Sequence, residues 1–322
     1  MIAYDWFYKV RGDNNMIYTC TLNPAIDLFI ETDQLKPDVV NRTNSYDIIP
    51  NGKGVNVSFI MKMLGVDSTA LGIGGGFTSK FIEESLQEKG IQTKFTHVAG
   101  ISRINVFTRV LNPNTEYKEV NKGPRLSEKE VQEFLNVIAS LTDQDKLIVS
   151  GSFSTGIDPE IIVEIAKMSQ MQGFDLIIDT SYSEVLDTLQ YHPFLLKPND
   201  EELLSWFSVQ HTENLNELAD YTKRILANGA KNILLSLGAR GAIYANNNGI
   251  WFGNAPDVKV VNTACSGDTM LGTFVAGMEQ GLAVEDNLKK SLAAASSTAA
   301  TSALTDFSDL DDLVDQIEIK SL

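Results

Sequence analysis

From Met16 onward the chain alternates short apolar runs with amphipathic stretches of helical spacing. Ile17–Leu22 reads as a buried strand, and Val55–Leu64 has helical spacing that stops at Gly65. Ser68–Ile73 predicts a strand, and Ser79–Lys89 a helix closed by Gly90. The rhythm resumes with a strand at Lys146–Ser150, a helix near Pro159–Met171, a strand at Asp175–Asp179 and a short helix at Glu184–Leu189. A strand at Phe194–Lys197 and helices near Glu201–Phe207 and Leu215–Asn228 come next. Strands at Asn232–Leu237 and Ala242–Tyr244 precede helices near Thr269–Gln280 and Leu288–Ala303. Repeated β–α units with apolar strands predict an α/β fold, a mainly parallel sheet covered by helices on both faces.

Two stretches break this rhythm. Asp27–Ile49 and Gln92–Val120 read as strands separated by turns, with Asn112-Pro-Asn-Thr115 joining Ile104–Leu111 to Glu116–Val120 as a hairpin. They predict a small sheet on the edge of the main one, serving as a lid or pairing with a second copy of the chain. No linker or internal repeat divides the chain, so residues 16–322 read as one domain. Met1–Asn15 is aromatic and then polar, without the apolar core of a secretory signal. It reads as an extension ahead of the domain, a docking arm being the alternative.

Charge narrows the partners. The chain of 322 residues carries 26 basic and 42 acidic residues, a net of −16, which repels a nucleic-acid backbone. An anionic substrate therefore needs a local basic pocket. No run approaches the ~18 apolar residues of a membrane span; Leu292–Leu304 is mostly Ala, Ser and Thr and reads as a core helix of small residues. Cys20 and Cys265 fit a reducing, cytoplasmic setting. His97, His192 and His211 are too scattered to favour a His-rich metal cage or a Ser–His–Asp triad.

Several clusters carry candidate chemistry. Asn262-Thr-Ala-Cys-Ser-Gly-Asp-Thr269 lies between a strand-like run, Val258–Val261, and a helix. Its small residues let backbone amides converge on an anion at a helix start. Asp268 there is placed to take a proton from an attacking hydroxyl, although Ser-Gly-Asp is also an ordinary helix N-cap. Asn51-Gly-Lys-Gly-Val-Asn56 offers Lys53 and Asn56 at another helix start, but lacks the glycine and Ser/Thr spacing of a Walker loop. Gly72-Ile-Gly-Gly-Gly76 fails the dinucleotide pattern at Phe77 and reads as a close-approach turn after a strand. Asp27, at the end of the first strand, can grip sugar hydroxyls or simply form a turn after Pro24. Arg103 has the fork that suits phosphate, although a lone arginine on a strand is more often simply solvated. In Lys197-Pro-Asn-Asp-Glu-Glu-Leu203, Asn199 and Glu202 are hard oxygen donors able to hold Mg²⁺ through water, or simply a dipole-favoured first turn. Ser236-Leu-Gly-Ala-Arg-Gly241 joins two strands and can pass over nucleotide phosphates or be a tight turn.

In order and spacing, these motifs resemble the PfkB sugar kinases of the ribokinase-like superfamily. The resemblance rests on Asn23-Pro-Ala-Ile-Asp27, Gly52-Lys-Gly-Val-Asn56, Ser150-Gly-Ser152, Lys197-Pro-Asn199 with Glu202-Leu203, Ser236-Leu-Gly238 with Gly241, and Gly267-Asp268. Within the family, Asn23–Asp27, Val40-Asn-Arg42 and Ser102-Arg-Ile-Asn-Val106 look most like 1-phosphofructokinases, with tagatose-6-phosphate kinases close by. The resemblance implies a three-layer α/β/α sandwich with a β lid, using ATP and Mg²⁺. It implies phosphorylation of fructose 1-phosphate to fructose 1,6-bisphosphate, with tagatose 6-phosphate or another sugar or nucleoside as alternatives, and a non-catalytic sugar-phosphate regulator as a further one. It makes Asp268 the base and the amides of Cys265, Ser266 and Gly267 the anion hole. Asp27, Gly52, Lys53, Asn56 and Asn105 would hold the sugar, and Arg103 and Ser152 its phosphate. Lys197, Asn199, Glu202, Ser236, Gly238 and Gly241 would meet ATP, with Asn199 and Glu202 organising Mg²⁺. Three positions depart from the family pattern: Asn51 replaces a glycine, Phe153-Ser-Thr-Gly156 replaces Leu-Pro-Pro-Gly, and Cys265 stands where Gly or Ala is usual, implying a tighter or oxidation-sensitive hole.

Overall fold

The computed structural model describes residues 16–322; the expected extension, Met1–Asn15, lies outside the described residues. In chain order the elements are β1 (Ile17–Thr21), β2 (Ala25–Thr32), β3 (Ser45–Asn51), α1 (Lys53–Met63), β4 (Thr69–Gly75), α2 (Gly76–Glu88), β5 (Gln92–Val98), β6 (Arg103–Val110), β7 (Thr115–Glu119) and α3 (Glu128–Ile138). Then come β8 (Lys146–Ser150), α4 (Ile161–Gln172), β9 (Asp175–Asp179), β10 (Leu195–Leu196), α5 (Asp200–Trp206), α6 (Leu215–Ala227), β11 (Asn232–Ser236), β12 (Ala242–Asn246), β13 (Gly249–Gly253), α7 (Ser266–Glu279), α8 (Val284–Ala299), α9 (Leu310–Val314) and β14 (Ile319–Ser321).

The main sheet has 10 strands in the order β14-β13-β12-β11-β10-β9-β8-β1-β4-β5. The run from β11 to β5 is parallel, and β12, β13 and β14 add antiparallel pairs at one edge. Strand alternation sorts the core into two layers. Leu147, Val149, Leu176, Ile178, Ile233 and Leu235 pack with Phe134, Ile162 and Leu218 of α3, α4 and α6. Their neighbours Ile148, Ile177 and Leu234 point the other way, to Ile60, Leu271 and Leu292 of α1, α7 and α8. The helix of small residues forms and is buried, with Leu292, Ala293 and Ala294 in the core and Thr298 Oγ1 2.9 Å from Thr269 Oγ1 of α7, but it ends at Ala299 and residues 301–304 lie outside it.

The second sheet has four strands, β3-β2-β6-β7. Strands β2 and β6 are parallel, and β3 and β7 flank them antiparallel. Side chains at paired positions share a face. The register sets Asn51 beside Ala25 and Arg103, and Ile49 beside Asp27 and Asn105. One face of this sheet thus collects Asn51, Asp27, Asn105 and Arg103.

The structure corrects four expectations. Gln92–Val98 is not part of the lid; as β5 it pairs parallel with β4 at the edge of the main sheet, because α2 returns the chain by a β–α–β crossover. Gly72–Gly75 is not a turn but the end of β4, and a Cβ at Gly72 would strike the Phe95 ring at 2.6 Å. Val258–Val261 forms no strand, since Val260 and Val261 are both 58% exposed and, among the described residues, the backbone there bonds only to Ala299 O. Residues 183–191 form 3-10 turns over a longer span than the short helix expected. Helix α3 was not anticipated, although Ser127 and Glu130 form a capping box that marks its start.

Candidate active site

Strands β1, β8, β9 and β10 end side by side, and the site is built on their carboxyl ends, where open parallel sheets present their loops. Gly52 caps α1 at φ +145, and a Cβ there would meet Thr21 Cγ2 at 2.6 Å. Only glycine lets the chain turn this close to β1 and aim Lys53 and Asn56, in the first turn of α1, toward the same cleft.

Helix α7 starts at Ser266 after Cys265, which holds a left-handed φ of 64. Its first-turn amides have no intrahelical acceptors and form the positive end of the helix. Ser266 Oγ is buried without a partner among the described residues. Lys197 Nζ lies 3.4 Å from where a Gly267 Cβ would stand, so a cation flanks this helix start and glycine keeps the approach open. The arrangement suits a phosphoryl group.

Asp268 is 5% exposed and accepts a 2.8 Å hydrogen bond from Asn56 Nδ2. Burial, helped by the charge of Asp179, pushes its pKa up to about 6, against the pull of Lys53, Asn56 and Lys197. A carboxylate so poised is suited to receive a proton near neutral pH.

Asp179, at the end of β9, is a member of the site that sequence reasoning missed. It is 2% exposed and pairs with Lys197 Nζ at 3.0 Å and Lys53 Nζ at 3.2 Å. Burial opposes its charge, but Lys197 and then Lys53 outweigh it and hold its carboxyl below the usual range. Burial likewise opposes the Lys53 charge, and Asp179 and Asp268 override it, raising that pKa. The available signal was an acid closing an otherwise apolar strand, Asp175-Leu-Ile-Ile-Asp179.

At the lid end, Asn105 Nδ2 donates to Asp27 Oδ1 at 2.8 Å, and Asn51 Nδ2 donates to Asp27 Oδ2. Burial raises the Asp27 pKa against these two amides and Arg103. Arg103 Nε donates to Asn23 O at 3.3 Å, and Asn23 Nδ2 donates to Ser152 Oγ at 3.2 Å. Asn23, not singled out for a role from sequence, therefore bridges the two groups expected at the substrate's phosphate.

On the far side, Asn199 and Glu202 form a capping box on α5, with Glu202 N donating to Asn199 Oδ1 at 2.7 Å and Asn199 N donating to Glu202 Oε2 at 3.0 Å. The helix-cap reading thus holds for both residues. Ser236 N donates to Pro198 O at 3.0 Å, and Arg240 pairs with Asp200 at 2.5 Å, tying the Ser236–Gly241 turn to this helix start. Gly238 (φ +57) and Gly241 (φ +115) shape that turn. Among the described residues no group of three or more His, Cys, Asp or Glu could hold a metal directly. The Glu202 oxygen without a partner among the described residues fits a Mg²⁺ held through water and phosphate oxygens, the usual mode for that ion.

Cys265 Sγ accepts from Asn56 Nδ2 at 3.3 Å. Burial, with Asp268 and Asp27, pushes its thiol up to about 12, which keeps it protonated and runs against the expected sensitivity to oxidation. Two open surface hollows lie elsewhere: one of about 290 Å³ involves Phe174, Tyr191 and Lys231, and one of about 620 Å³ runs along α3 and α4.

A mainly parallel α/β sheet with a small second sheet, a buried carboxylate and a helix start flanked by Lys197 suits a phosphotransferase acting on a sugar. Comparison with known proteins agrees. Residues 16–310 match the model of the pfkB family carbohydrate kinases, and the chain belongs to that family. It is 45% identical to D-tagatose-1-phosphate kinase of Bacillus licheniformis, over 95% of this chain and 100% of the relative. It is 32% identical to 1-phosphofructokinase of Bacillus subtilis, over 95% and 100%. The structure of Escherichia coli phosphofructokinase-2 in complex with substrates and products superposes with a TM-score of 0.84 at 25% identity, covering 93% of this chain and 98% of that one. The chain is a sugar-phosphate kinase transferring a phosphoryl group to an alcohol. No described helix is long and apolar enough to cross a membrane.

Proposed function

We infer that the chain transfers the γ-phosphoryl group of ATP to the C6 hydroxyl of a ketohexose 1-phosphate. The observation that carries this reading is Asp268: buried, lifted to about 6, and joined through Asn56 and Asn51 to Asp27. Asp27 and Asn105 hold ring hydroxyls, with Gly52, Lys53 and Asn56 lining the sugar, and Arg103 and Ser152 hold the C1 phosphate. Asp268 takes the proton from the C6 hydroxyl as its oxygen bonds to phosphorus and the bond to the ADP oxygen breaks. Charge on the transferring group faces the amides of Cys265, Ser266 and Gly267, with Lys53 and Lys197 beside it, in the manner of phosphoryl transfer by positioning and neutralisation. Lys197, Ser236, Gly238 and Gly241 flank the nucleotide. Mg²⁺, held through water by Asn199 and Glu202, would neutralise phosphate charge when bound. Closure of the lid excludes water.

The sequence pattern favours fructose 1-phosphate; the 45% identity to a tagatose-1-phosphate kinase, against 32% to a 1-phosphofructokinase, favours its C4 epimer D-tagatose 1-phosphate, which we adopt. Tyr46 and Tyr117, 72% and 50% exposed on one lid face, support pairing of two copies through that sheet. The test is ADP release with the 1- and 6-phosphates of D-tagatose and D-fructose. Turnover should require a 1-phosphate, with tagatose 1-phosphate preferred. Turnover confined to 6-phosphates would overturn the reading, and tight binding without turnover would favour a regulator.

A further inference from the structure

We propose that Asn51 is a specificity residue that donates its second amide hydrogen to the C4 hydroxyl of the substrate. The assignment rests on the function proposed above and deepens it. Asn51 stands at the end of β3, where the lid runs into α1. Its Oδ1 accepts from Gly52 N at 2.6 Å and from Asn56 Nδ2 at 2.9 Å. Two donors on that oxygen fix which way the amide faces. Its Nδ2 must then point to the lid carboxylate, and one hydrogen goes to Asp27 Oδ2. The other has no partner among the described residues.

The placement selects the hydroxyl. Asn56 donates to Asp268 Oδ2 at 2.8 Å as well as to Asn51, so Asn51 is one amide away from the base. It also shares the lid face with Asp27, Asn105 and Arg103. A ketohexose 1-phosphate lying with C6 at Asp268 and its C1 phosphate at Arg103 turns its C3 and C4 hydroxyls to this face. The C4 hydroxyl is the nearer to the reacting end. It is also the only centre at which tagatose and fructose differ. A fixed donor there donates to one epimer's oxygen and misses the other's, and a polar group left unpaired in a dry site is what makes such discrimination large.

The experiment measures kcat and KM for D-tagatose 1-phosphate and D-fructose 1-phosphate with Asn51→Gly and Asn51→Ala, alongside thermal melts. Both variants keep Asp27, Asn56 and Asp268. The expected result is that the ratio of kcat/KM between the epimers moves toward one by about tenfold in both variants, with KM for ATP within about twofold. Equal loss on both epimers, with the ratio unchanged, would mean that Asn51 only shapes the lid, and would overturn this inference while leaving the proposed reaction standing. Absence of turnover of both sugars by the unaltered protein would overturn the two together.

Discussion

Replacing Asp268 by asparagine separates catalysis from stability and tests the site at its centre. The folded protein binds the Asp268 proton more tightly than an unfolded chain does, because the pKa rises from 3.8 to about 6 on burial. The ionised base therefore destabilises the fold. The penalty is absent below the unfolded pKa, grows as pH rises, and is complete above the folded one. A shift of about two units at ~1.36 kcal/mol each gives about 3 kcal/mol. Asparagine is neutral at every pH and keeps an oxygen for the Asn56 amide. The ligand-free variant should thus be more stable at about pH 8 by up to about 3 kcal/mol, near 5 °C in Tm for a domain of this size. The gain should vanish below about pH 4. At the same time kcat should fall by at least ~10². Calorimetry across pH and an ADP-release assay read the two effects. A variant less stable at every pH, a gain independent of pH, or an unchanged kcat would each refute the assignment.

Asp179→Asn strands two lysines on a buried neutral group, and should lower stability by ~3–5 kcal/mol at neutral pH. Because this carboxyl's pKa is depressed, the loss should shrink as pH falls through its folded pKa, as denaturant melts at several pH values would record. Asp179 also raises the Asp268 pKa, so the acid limb of kcat in Asp179→Asn should move to lower pH. Arg103→Ala should raise KM for the sugar phosphate far more than KM for ATP; equal effects in steady-state kinetics would remove it from the substrate's phosphate. With its thiol pushed up to about 12, Cys265 should react with iodoacetamide at about pH 8 on the order of 10³ times more slowly than an exposed cysteine. Rapid labelling found there by peptide mapping would contradict the burial that sets its pKa.

Much of this molecule is local information. Apolar runs such as Leu147–Val149 and Leu176–Ile178 are buried on both faces of a parallel sheet, so they carry their identity in four or five residues. Glycines at 52 and 267 and the acid at 268 were legible because turns and helix starts demand particular residues. The exposed valines at 260 and 261 misled for the complementary reason: β-branched residues satisfy a strand pattern whether or not a partner strand exists.

The remaining features depend on distance along the chain. Whether Gln92–Val98 joined the lid or the main sheet was decided by the crossover through α2, which the strand's own pattern does not encode. Asp179 reads as one more acid until folding sets it between lysines 18 and 126 positions away. The Asn56–Asp268 hydrogen bond joins residues 212 apart. Sequence fixed which groups this chain possesses and which backbone each can start or end, because those are properties of neighbours. The tertiary structure alone decided which charges share a buried space, and burial together with the charges sharing that space sets the protonation of the base.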